Sequence, residues 1–140
     1  MANSMIKLLL KIPTGILSVL LTLAILYLCL APQPIGGGGL FDFLGADKIM
    51  HFAMFFALSA AYLFDCAKAA LPRQLRQWQV VAIAVAVILL GGLIEILQQL
   101  MGLGRSMDLL DFVADAIGVV CATGVMKASL LGRLSNTKDC

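Results

Sequence analysis

Four apolar runs separated by short polar breaks make up most of this chain. They cover Ile12 to Ala31, about Ile49 to Cys66, about Val80 to Met101, and Leu109 to about Met126. An α-helix needs about 20 apolar residues to cross roughly 30 Å of hydrocarbon, so each run predicts a membrane span. Pro32-Gln33-Pro34 ends the first run, and Gly36 to Gly39 form a flexible tether. Leu40 to Leu44 reads equally as an interfacial segment or a plain loop. Asp47-Lys48 opens the second span, and Trp78 anchors the third at the interface. Beyond Met126 a polar tail with Lys127, Arg133 and Lys138 is expected to fray. A cleaved signal peptide competes for the first run, because Lys7 and Lys11 precede it. The run is long for a signal core and lacks the small pair before Pro32, which favours a retained span.

The apolar pattern breaks at one end of the predicted bundle. Glu95, Asp111 and Asp115 lie inside apolar runs, where a charge is disfavoured by roughly 2.5–3.5 kcal/mol at mid-helix. Asp47, Lys48 and His51 begin the second span, Arg105 and Asp108 occupy the turn between the third and fourth, and Gln98 and Gln99 follow Glu95. Asp108, Asp111 and Asp115 stand at i, i+3 and i+7, one helical face that continues through the small residues Gly118 and Ala122. Gly91, Glu95, Gln98 and Gln99 make a similar stripe. A rise of about 1.5 Å per residue puts Glu95 and Asp115 on the order of 9 Å deep, with His51 shallower. The spacing therefore predicts a polar pocket open to one leaflet. The plainer reading is helix glue, with Glu95 paired to Arg105 or His51 to an aspartate. Gln99, Asp42 and Ser106 read as bystanders, as does Gln98 despite its place on the stripe. About eight ionisable or amide groups at one end exceed what joining four helices requires.

Composition supports the bilayer as solvent: 61% of the 140 residues are hydrophobic and 13% charged, with a mean hydropathy of +1.01. The expected fold is a single all-α domain over 1–140, a polytopic four-transmembrane-helix bundle. A net charge of +2 gives no reason to invoke nucleic acid. Cys29, Cys66, Cys121 and Cys140 have no C-x-x-C spacing, which argues against a disulfide framework or a zinc site. With four spans, Lys7, Lys11, Lys68, Arg73, Arg76, Lys127, Arg133 and Lys138 share one side, leaving Lys48 and Arg105 for the other. The positive-inside rule then puts both termini in the cytoplasm, and the polar end outside.

Three segments together resemble the VanZ-like family of small bacterial membrane proteins. They are Asp47-Lys48-x-x-His51-Phe52 with Phe55, Glu95-x-x-Gln98, and Gly104-Arg105-x-x-Asp108-x-x-Asp111-x-x-x-Asp115-x-x-Gly118. They span residues 47 to 118 in family order and spacing. The family pattern usually has asparagine where this chain has Asp115, which adds an acid here. The resemblance implies a protein of the bacterial inner (cytoplasmic) membrane. Its name-giving members are associated with low-level resistance to teicoplanin-type glycopeptides, and it supplies no reaction.

Two chemistries fit these residues. As a binding module, the pocket would take an anionic or lipid-linked cell-wall precursor headgroup. Arg105 offers a planar fork for phosphate and Lys48 a point charge, while Asp47, His51, Glu95, Gln98, Asp108, Asp111 and Asp115 meet hydroxyls, amines or a divalent cation. As an enzyme on a lipid phosphate, His51, Glu95, Arg105 and Asp111 would be catalytic, His51 as nucleophile or general base. A metal-dependent version would hold Mg²⁺ or Mn²⁺ with Glu95, Asp108, Asp111 and Asp115. No Ser or Cys adjoins His51, so acyl transfer has no nucleophile nearer than Ser106. Transport fits less well, because four spans are few and the inner half of the bundle reads as apolar. A homo-oligomer would alter that count.

Overall fold

The computed structural model describes residues 11–31, 45–70, 75–102 and 107–131. Its elements are all helical among these residues: α1 (Ile16–Leu30), α2 (Ala46–Ala70), α3 (Gln77–Met101), α4 (Leu109–Met126) and a π-helical turn over Lys127–Leu131. The last three helices are long and apolar enough to cross a membrane, whereas α1 is a shorter apolar helix. The four-helix architecture follows the four apolar runs. Large apolar side chains remain exposed along one stripe of α3 (Val81, Val85, Leu89, Leu93, Ile96, Leu100) and along α4 (Val113, Ile117, Val120). Surfaces of that kind suit lipid rather than water.

Local chemistry sets the helix ends. Pro13 and Gly15, the latter at φ +91°, keep 12–15 out of the helix, so α1 begins four residues later than its apolar run. It stops at Ala31, whose extended backbone is what a residue preceding proline favours. Gly45, also left-handed at φ +93°, precedes α2, which starts and ends a few residues outside the predicted 49–66. At the head of α3, Arg76 N–H donates to Gln79 Oε1 over 2.8 Å. At the head of α4, Leu110 N–H donates to Asp108 Oδ1 over 2.8 Å, an aspartate cap. The chain past Met126 continues as a π-helical turn through Leu131, where a fraying tail was expected.

The tightest packing is between α2 and α4. Gly118 permits it: a Cβ there would come 2.5 Å from the carbonyl oxygen of Phe52. No side chain fits, and the two backbones approach closely, as small residues allow between membrane helices. Ile25, Cys29, Phe55, Leu58, Val87, Ile94 and Val119 form the apolar core between the bundle's two ends. Because Gly118 lies one turn from Asp115, and Phe52 adjoins His51, the same close approach brings those two polar side chains together.

Candidate functional site

The first residues of α2, the last turns of α3 and the first turns of α4 meet at one end of the bundle. Lys48 bridges to α4 twice, with Nζ 2.8 Å from Asp108 Oδ2 and 3.0 Å from Asp111 Oδ1. This ammonium holds the Asp108 carboxyl below the ordinary aspartate range, chiefly through the direct hydrogen bond. One turn deeper, His51 Nδ1 lies 3.0 Å from Asp115 Oδ1 and 3.9 Å from Glu95 Oε1. The other Glu95 oxygen, Oε2, accepts the Asp108 backbone N–H at 3.0 Å, tying α3 to the start of α4. His51, Glu95, Asp111 and Asp115 are all buried, while Asp47 is exposed and Lys48 and Asp108 are half-buried. The cluster thus grades from a wet rim to a dry interior.

Two oxygens in that interior, Glu95 Oε1 and Asp115 Oδ2, lack hydrogen-bond partners among the described residues. Asp115 Oδ2 occupies ground that a side chain at position 91 would need, since a Cβ on Gly91 would lie 2.9 Å from it. Among the described residues two sets of potential cation ligands result. His51, Glu95 and Asp115 have ligand atoms within 4.8 Å of one another, as do Asp47, His51 and Asp111.

Most of the residues singled out in the sequence come together here, with two departures, Gln98 and Asp108. Gln98 faces away from the cluster: its Nε2 donates to the carbonyl of Cys29 at 2.9 Å and satisfies the end of α1. Its amide joins helices, and the expected ligand role has no support in its position. Gln99 accepts from Met107 N–H at 3.1 Å, holding the turn. Asp108, grouped by sequence with Glu95, Asp111 and Asp115 as a metal set, belongs to neither ligand set; its carboxylate bonds Lys48 and caps α4. Arg105, with Ser106 and Asp42, lies outside the described residues.

The end of the bundle remote from that cluster is more polar than its sequence suggested. Buried Asp65 of α2 accepts from both Ser18 N–H (3.1 Å) and Ser18 Oγ–H (2.6 Å), so it caps the first turn of α1 from across the bundle. Thr22 and Tyr62 hydroxyls meet at 3.0 Å beside it, and Lys68 Nζ donates to the Ile12 carbonyl. The expectation of an apolar inner half is therefore corrected. Asp65 itself was the available signal, an acid in an apolar run three residues before a lysine. The wholly buried Phe55 and Leu58 stand between the two polar ends along α2.

Compared with known proteins, the chain matches no family model, no curated protein and no solved structure.

Proposed function

We propose that this chain is a VanZ-like integral membrane protein of the bacterial cytoplasmic membrane, with both termini cytoplasmic. Its polar end binds the phosphate-bearing headgroup of a membrane lipid or lipid-linked cell-wall precursor in the outer leaflet. Such binding would alter how a glycopeptide drug or another protein reaches that precursor. One observation carries the reading: ionisable side chains from three helices converge at a single end, graded from half-exposed Lys48 and Asp108 to fully buried Asp115. Two helix-joining pairs would not require this many. Lys48 is already balanced by two carboxylates, so the remaining cation of that side, Arg105, is assigned the phosphate. Its planar fork can engage two phosphate oxygens at once.

Binding of a polyprenyl phosphate, against the same polyprenyl alcohol, by purified protein in nanodiscs tests the assignment. The phosphate should bind at least tenfold more tightly than the alcohol, about 1.4 kcal/mol. Arg105→Gln should abolish that preference and Arg105→Lys weaken it. Equal binding of phosphate and alcohol by the wild-type protein would end the headgroup reading.

A second reading, an enzyme of the phosphatase or phosphotransferase type, has one observation in its favour. Asp115 holds His51 Nδ1 at 3.0 Å, an arrangement that orients an imidazole for general-base or nucleophilic work. Release of inorganic phosphate from the same lipid, lost in His51→Gln, would move the assignment to catalysis.

A further inference from the structure

The buried ends of His51, Glu95 and Asp115 come from three different helices, and their ligand atoms stand within 4.8 Å of one another. Ligands each about 2.0–2.2 Å from a shared ion are separated by about 3–3.6 Å. His51 Nδ1 is 3.0 Å from Asp115 Oδ1, already at that spacing, and 3.9 Å from Glu95 Oε1, a few tenths of an ångström beyond it. The second, independent observation is the state of the oxygens. Glu95 and Asp115 are 1% and 0% exposed, yet Glu95 Oε1 and Asp115 Oδ2 have no hydrogen-bond partner among the described residues. A buried polar oxygen is costly unless something donates to it or coordinates it, and an ionised one more so.

We propose that His51, Glu95 and Asp115 form a binding site for one divalent first-row transition ion. Two carboxylates would balance its double charge within a dry part of the bundle. One imidazole nitrogen with two carboxylate oxygens suits Mn²⁺, Fe²⁺ or Zn²⁺, whereas Mg²⁺ and Ca²⁺ prefer oxygen alone. Gly91 belongs to the design, since a side chain there would displace the Asp115 carboxylate. The site stands on its own geometry and does not depend on the headgroup reading.

The test uses full-length protein in detergent, stripped with a chelator and titrated with Mn²⁺ alone. Bound ion is counted from the loss of the free-ion paramagnetic signal. One Mn²⁺ per chain is expected, displaced by Zn²⁺, with binding at least tenfold weaker in Glu95→Gln and in Asp115→Asn. His51 is the single histidine of the chain, so nitrogen hyperfine modulation from one imidazole on the bound Mn²⁺ identifies it without any variant. The proposal is overturned if the wild-type protein holds no Mn²⁺ or Zn²⁺, or if the bound Mn²⁺ shows no imidazole nitrogen. It is equally overturned if folded Glu95→Gln and Asp115→Asn proteins bind as tightly as wild type. Shared protons would then account for the triad.

Discussion

Lys48 serves two aspartates in unlike surroundings: the Asp108 side chain is 41% exposed, and that of Asp111 only 7%. Water can replace Lys48 at Asp108, but not at Asp111. Lys48→Met should therefore lower the melting temperature in detergent by stranding the Asp111 charge, since a buried ion without its partner is strongly destabilising. Adding Asp111→Asn to that variant should restore much of the loss, whereas adding Asp108→Asn should restore little. Equal rescue by both would show that burial does not distinguish the two acids. At this scale an ionisable group deep in an apolar run was the informative signal, which is why His51, Glu95, Asp111 and Asp115 were legible, while Asp65, near the end of its run, was passed over. Gln98 was not, because its acceptor is a backbone carbonyl, which every residue carries, so no side chain of α1 marks the partner.

Between elements, the decisive contact is Gly118 against the Phe52 carbonyl. Gly118→Ala must push α4 away from α2, and overpacking of this kind typically costs about 1–3 kcal/mol. Gly124 has nothing near its would-be Cβ, so Gly124→Ala should leave unfolding in detergent unchanged or slightly delayed. The pair of melting curves checks the packing, and equal curves would refute it. The small-residue face of α4 was readable from its spacing, but the partner was not. Nothing in the periodicity of α2 distinguishes Phe52 from its neighbours as the residue that Gly118 meets. For the same reason the docking of α1 stayed hidden: Ser18 carries no charge, and Asp65 lies where the second run was read as ending.

For the molecule as a whole, the proposed orientation has its own test. A cysteine-free background carrying one reporter cysteine at residue 74 should resist a membrane-impermeant thiol reagent added outside the cell, while reporters in 36–46 and 102–107 should react. Labelling at 74 would invert the assignment and put the polar end on the wrong side for an outer-leaflet headgroup. The lengths of the helices carry a different consequence. At about 1.5 Å per residue, the 15 residues of α1 rise roughly 22 Å, and the 25 of α3 roughly 37 Å. Both turn exposed apolar side chains outward, Val19, Leu20 and Leu23 on one, Leu89 and Leu93 on the other. Segments this different in length match different hydrocarbon thicknesses. If α1 meets the bilayer over that length alone, thinning beside it would cost fractions of a kcal/mol for each ångström of mismatch. Enrichment of short-chain lipids in the copurified annulus is the expected outcome, and an annulus of bulk composition would refute the mismatch.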